Sequence, residues 1–421
     1  MTKNNIYIPQ GYKNSPLGII PMEWEVKRLG DCTSLLTNGF VGVATPHYTE
    51  DASGITYIQG FNVTEGGFNL TGIKKVTKEF HKKNSKSLLL EGDLLTIQTG
   101  DIGLTTIVPK ALEGSNCHAL IISRFKEGIL SRFMLYYYNS TIGRNRFHII
   151  ETGSTMKHIN TGDLYKFYVP VPPIKEQQTI VEIGSLWDTA IEKQSELIEK
   201  LTLRKRALMQ QLLTGKKRLP GFIGKWKEVR LRNIGVFFKG NGVPKNNVIC
   251  EGHKCLTYGD LYTKYDYVIS NVKSFIDDST ANISTRILYG DICFAGSGET
   301  KEDIGKCAAF IDDDYGYAGG DIIVFRANAT NPITLSYILN SDYVIRQKSN
   351  MGQGHSIVHI YPYQLEKVKL KLPPKKEQDA IASILLEADK EIELAKEKLI
   401  SLQSQKRGLM QQLLTGKKRV V

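Results

Sequence analysis

The chain is predicted to be an α+β protein built twice over: two globular domains, each followed by a long helix, with the two helices antiparallel and the halves related by a pseudo-two-fold axis. Three observations predict this. Residues 205–218, KRALMQQLLTGKKR, return at 406–419 as KRGLMQQLLTGKKR, differing only at Ala207 and Gly408. Sliding the chain by 201 residues carries the match upstream without a gap, with 25 identities in 47 positions between 172–218 and 373–419. Within that segment the apolar residues keep a three–four spacing. A repeat fixes architecture, and two copies are too few for a solenoid. The domain order read from it is an N-terminal arm (1–20), a globular domain (21–171), a long helix (172–215), a second globular domain (216–372) and a second long helix (373–421).

The helical segments open on Pro172-Pro173 and Pro373-Pro374, where proline is tolerated. Glu176 and Glu377 sit in the first turn, near the positive end of the helix dipole. Gly215 and Gly416 stand where a C-terminal cap belongs. The stripe runs Ile180, Ile183, Trp187, Ile191, Ile198, Leu201, Leu208, Leu212 in one copy. It runs Ile381, Ile384, Ala388, Ile392, Ala395, Leu399, Leu402, Leu409, Leu413 in the other. Such a heptad-like stripe suits a coiled coil. About 40 residues at ~1.5 Å each make a rod on the order of 60 Å long. A lone amphipathic rod must bury its stripe, and the nearest partner is the other copy.

The globular halves come in parallel order. Trp24 and Trp226 begin them and are expected as core anchors. Asn38-Gly39 and Asn241-Gly242 read as turns. Strand-like runs follow at 55–63 and 322–325. Each half then has a Gly-Asp step into an apolar strand and a glycine loop, at 92–103 and 290–305, the second loop being longer before Asp303-Ile304-Gly305. A short helix is expected at 132–147, echoed at 334–348. Gly153, His158, Ile159 and Leu164 match Gly354, His359, Ile360 and Leu365 in a loop and strand leading to the double proline. The helices share side-chain chemistry; the globular halves share a pattern but little chemistry. One scaffold presents two different surfaces.

Net charge is +12 with pI near 9.2, and each 47-residue repeat segment carries +3, so the helices hold about half the excess. That balance favours a polyanion. No run approaches the ~20 apolar residues of a membrane span, and the N-terminus has no signal-peptide core. Six scattered cysteines form no CxxC pair. Cys250, His253 and Cys255 lie close together but lack a second ligand pair, so reduced thiols of a cytoplasmic protein are expected.

Catalytic patterns are incomplete. Asn331-Pro332-Ile333-Thr334 lacks the second proline of an adenine-methyltransferase loop. Phe238-Lys239-Gly240-Asn241-Gly242 imitates a cofactor loop, but its Asn-Gly step belongs to the repeat. Glu299-Thr300-Lys301 is too short to mark a nuclease, and no phosphate-binding GxxxxGK[ST] loop is present.

The W-x-x-x-x-L starts, the GD…G…IG strand-loops, the GSTMKHIN loop at 153–160, the PPxKEQ helix openings and the LMQQLLTGKKR ends come in a set order. In that order the sequence resembles the specificity (S) subunits of type I restriction-modification systems. The resemblance implies a non-catalytic DNA-reading subunit with two target recognition domains, each reading half of a bipartite site. It implies helices that act as a ruler, two methyltransferase (modification) subunits docked on the assembly, and restriction subunits that join them. The chain itself would hold no cofactor; S-adenosylmethionine, ATP and Mg would be bound by the partner subunits. Base readers are sought in the loops: Gln98, Thr99 and Asp101, and Ser154, Thr155, Lys157, His158 and Asn160, in the first half; Ser297, Glu299, Lys301, His355 and His359 in the second. Lys216, Lys217 and Arg218, with Lys417, Lys418 and Arg419, could meet phosphate, or offset the helix-end carbonyls. For the two histidines a loop-closing hydrogen bond or a phosphate contact is expected ahead of a catalytic pair. Two other functions are compatible with the pattern: a stand-alone DNA-modifying enzyme with duplicated lobes, and a coiled-coil adaptor.

Overall fold

A computed structural model describes residues 7–154, 157–243, 245–354 and 357–420. Two helices of 39 residues, Ile174–Leu212 and Lys375–Leu413, dominate it. Both end as the glycines require. Gly215 and Gly416 are left-handed, with φ of 67° and 68°. The amides of Lys217 and Lys418 reach back six residues to the carbonyls of Gln211 and Gln412, each at 3.2 Å. That is the glycine-capped helix end in which the left-handed residue closes the last turn.

The chain forms two compact units, Met1–Ser195 with Glu397–Val421, and Glu196–Lys396. Each long helix therefore gives its N-terminal half to one unit and its C-terminal half to the other. The apolar stripe dictates this, since neither half-helix can bury its stripe alone. In the first unit Ile180, Met410, Leu413 and Leu414 lie in one core with Trp24 and Leu164. In the second, Leu212, Leu213, Ile381 and Leu385 share a core with Leu231 and Leu365. Ion pairs give the direction. In the first unit Glu176 meets Arg419 and Asp188 meets Lys406. In the second Glu377 meets Arg218 and Asp389 meets Lys205. Residue numbers rise along one helix and fall along its neighbour, so the helices are antiparallel in both units.

The first unit carries a four-stranded antiparallel sheet in the order Thr105–Ile107, Leu94–Ile97, Leu120–Phe125, Thr33–Asn38. The second has a five-stranded sheet in the order Gly235–Lys239, Ile322–Ala327, Ile292–Ala295, Cys307–Phe310, Val268–Ile269. Each unit closes on a two-stranded ladder beside its tryptophan: Glu25–Arg28 with Tyr168–Val171, and Lys227–Arg230 with Lys369–Leu372.

Three expectations need correction. The arm is folded in part: Tyr12–Ser15 and Gly18–Pro21 form a hairpin, and the Tyr12 hydroxyl donates to the Gly416 carbonyl at 2.9 Å. Each expected short helix is two helices, Ser131–Asn139 with Thr141–Ile149, and Pro332–Leu339 with Asp342–Met351. A serine breaks each: the Ser140 and Ser341 hydroxyls bond back to the carbonyls of Tyr137 and Ile338, both at 2.6 Å. Asn38-Gly39 is not a turn; Asn38 ends a strand and Phe40 bridges to His118. The glycine is needed because a Cβ there would lie 2.6 Å from the Cys117 carbonyl oxygen.

Candidate nucleic-acid interface

The glycine loop and the loop ahead of the double proline lie side by side in both units. In the first, Thr99 and Thr152 both bridge to His158, and the Ile159 amide donates to the Gln98 carbonyl at 3.0 Å. In the second, Ser297-Gly298 pairs with Val358-His359, and the Ile360 amide donates to the Gly296 carbonyl at 3.0 Å. The recurrent histidines thus close loops: His158 pairs with Thr152, and the His359 ring nitrogen Nδ1 lies 3.0 Å from the Ser297 hydroxyl.

The frame beneath these loops is nearly the same in both units. Asp93 holds Arg124 through both carboxylate oxygens, and Asp291 holds Arg326 likewise. The Gly-Asp step is therefore a buried-carboxylate clasp, the geometry in which a guanidinium pairs best. Asn139 bonds both backbone groups of Thr105, and Asn340 both of Cys307. Gln177 and Gln378 accept from the amides of Leu130 and Asn331 at 2.9 and 2.8 Å. Tyr136 donates to Asp188, and Tyr337 to Asp389. Lys406 and Lys205 bond the same aspartates and lie 5.3 and 5.4 Å from the centres of those tyrosine rings. Motif reading missed this frame. Its signal was present, since the helix partners are identities at the 201-residue offset.

The loops carried on the frame differ. The stretch 92–103 has 12 residues and 290–305 has 16. In the first unit Asp101 is tied to Arg144. In the second, the Tyr262 hydroxyl reaches the carbonyls of Ser297 and Asp303 at 3.1 and 3.2 Å. Burial pushes that hydroxyl's pKa up, so it stays a donor.

The nominated side chains separate into groups. Thr99, Ser154, Lys157 and Asn160 are exposed at the first loop pair, with Lys157 3.3 Å from Glu151 and the Asn160 amide on the Thr152 hydroxyl at 3.1 Å. Gln98 is half-buried beside them. Glu299 and Lys301 are exposed in the second loop. Ser297 is a correction: it is 5% exposed with its hydroxyl on His359, so it supports the loop instead of facing outward. Thr155 and His355 lie outside the described residues. Lys216, Lys217, Lys417 and Lys418 are exposed, but they belong to the helix ends beside the tryptophans, not to the loops. The neighbouring arginines are a second correction. Arg218 and Arg419 are not held for phosphate: they pair with the buried Glu377 and Glu176, which also accept from Trp226 and Trp24 at 3.1 and 2.8 Å.

The catalytic look-alikes have structural work. Asn331 caps the helix Pro332–Leu339, accepting from the amides of Ile333 and Thr334. Gly240 is buried against the Gly319 carbonyl, where a Cβ would have no room. His253 pairs with Asp278 at 2.6 Å.

Two dissimilar loop surfaces on one repeated frame define a protein that presents paired recognition surfaces. The chain belongs to the type I restriction modification DNA specificity domain family, whose model matches it twice, over residues 21–203 and 223–404. Among curated relatives, a Methanocaldococcus jannaschii chain described provisionally as the type I restriction enzyme MjaX specificity subunit is 26% identical over 439 residues, covering 98% of each chain. The type I restriction enzyme MjaVIII specificity subunit of the same organism is 24% identical over 434 residues, covering 95% of this chain and 94% of that one. The same fold occurs in a chain of a solved type I R-M system, with a TM-score of 0.61 at 18% identity, covering 95% of this chain and 99% of that one. It also occurs in the type I restriction-modification S subunit from M. genitalium, with a TM-score of 0.54 at 16% identity, covering 93% and 96%.

Proposed function

We propose that the chain is the sequence-reading subunit of a type I restriction-modification complex and that the loop pair of each unit reads one half of a bipartite DNA site. One observation carries this: the main bonds of the frame are repeated in both units, while the loops it holds differ in length, charge and anchoring. A duplicated adaptor has no use for such divergence; a reader of two different half-sites requires it, because base edges are told apart by the side chains that meet them. Phosphate contacts from exposed lysines would hold register. The long helices would set the number of base pairs between the halves.

The same helices leave Leu186, Leu197, Leu203, Leu394 and Ile400 exposed. Exposed aliphatic side chains can belong to interaction surfaces, and we assign these to two methyltransferase (modification) subunits, with restriction subunits joining that complex. Methyl transfer and cleavage then belong to the partners, which would bind S-adenosylmethionine, ATP and Mg.

A gel-shift competition tests the reading. Preference for one bipartite duplex, falling steeply with salt, is expected. The purified chain alone should transfer no methyl group. Indifference to DNA would favour an adaptor, and methyl transfer by the isolated chain a stand-alone enzyme.

A further inference from the structure

Lys348, on the helix Asp342–Met351, is 1% exposed. Among the described residues no carboxylate pairs with it. Its Nζ donates to the Gly305 carbonyl at 2.6 Å, and the Phe294 ring centre lies 5.9 Å away. Burying an ammonium with so little compensation is costly, and burial holds its pKa below the usual lysine value.

The duplicate shows that a charge is not needed for packing here. Phe147 occupies the matching position 201 residues earlier, and Gly103 matches Gly305 at the end of the glycine loop. Both glycines are left-handed, with φ of 82° and 70°. A Cβ on Gly103 would lie 2.5 Å from the Phe147 ring, and one on Gly305 would lie 3.1 Å from the Lys348 chain. Phe147 stacks on Phe167 with centres 5.2 Å apart. An apolar ring therefore fills the site in the first unit, where the loop is short. Where the loop is longer, the ring is replaced by a side chain of similar reach that also bonds the loop's last carbonyl.

The longer loop needs that bond. Residues 299–302 have no counterpart in the first unit and are all exposed. Tyr262 ties the carbonyls that flank them, and Lys348 fixes the chain two residues further on. An exposed excursion without such pegs would sample many conformers and lose affinity and selectivity in ordering one of them.

We propose that Lys348 is a positioning residue for sequence selection by the second unit: it pegs the Gly305 carbonyl and so presents residues 299–302 in one conformation. This rests on the reading of the loop pairs as base readers.

The test uses the full chain with its modification subunits. Methylation sequencing defines the wild-type site, and Lys301→Ala identifies the half that the second unit reads. Lys348→Met keeps the aliphatic volume and removes the donor; Lys348→Phe imports the first unit's solution. Both should relax discrimination about tenfold in the half relaxed by Lys301→Ala, leaving the other half and the salt slope unchanged. Tyr262→Phe, which removes a single oxygen, should relax the same half and serves if the Lys348 variants do not fold. Unchanged discrimination, or equal relaxation in both halves, would overturn the proposal. A wild-type complex with no sequence preference would sink the reading of the loops first, and the peg's role with it.

Discussion

Glu176 and its duplicate Glu377 carry more of the fold than their place in a first helical turn suggests. A carboxylate there is favoured by the helix dipole, and that much was legible. Its partners were not. Glu176 is buried, and it accepts from the Trp24 indole and the Arg419 guanidinium together. Those residues are 152 and 243 positions away in sequence. Trp24 read correctly as an anchor because its size demands burial; Arg419 read as a phosphate contact or an offset to the helix-end carbonyls, because nothing local points to a buried carboxylate. Replacing Glu176 by Gln keeps the shape but leaves the guanidinium with only the exposed Glu23 as counter-charge. We expect a loss of about 2 kcal/mol, discounted for the arginine's partial exposure, read as a lower urea midpoint with an unchanged slope.

At the scale of elements, the long helices were legible in type, start and cap, because a 3.6-residue period, paired prolines and a terminal glycine are local signals; the second, expected to reach residue 421, ends at Leu413. Their pairing followed from the need to bury one stripe, and the antiparallel direction from the large domain between them. The polar contacts across the seam did not follow. Lys205 and Lys406 look like ordinary solvated lysines in an exposed KR pair, yet each lies over a tyrosine and against an aspartate of the other helix. A double-mutant cycle of Lys205→Met with Asp389→Asn should give a coupling of about 1–2 kcal/mol, since the pair is shielded and shares Tyr337. Additive effects would mean the contact does little. The broken short helices show the opposite case: Ser140 and Ser341 were visible, but serine inside an apolar pattern does not announce whether its hydroxyl faces solvent or ends the helix.

At the scale of the whole molecule, each helix serves both compact units, and its exposed aliphatic residues are left over after both cores are filled. Leu203 lies on the helix in the second unit and Ile400 in the first. Leu203→Glu and Ile400→Glu should each leave the urea midpoint within about 0.5 kcal/mol. Each should also weaken capture of a modification subunit by an order of magnitude or more, since a buried charge at an apolar contact is costly. Normal capture by both variants would move the docking surface elsewhere.

The amino-acid sequence alone determined that the chain is duplicated, that its long segments are capped amphipathic helices, and that the two globular halves share a plan and differ in surface. Period, identity at fixed offset and glycine placement are properties of neighbouring residues or of the repeat itself. Only the tertiary structure decided which end of which helix completes each unit, that the terminal arginines are spent on buried glutamates, and that Ser297 faces inward. It also decided that Lys348 holds a loop where Phe147 merely fills space. These depend on which distant groups share a low-dielectric site, and chain order does not state that.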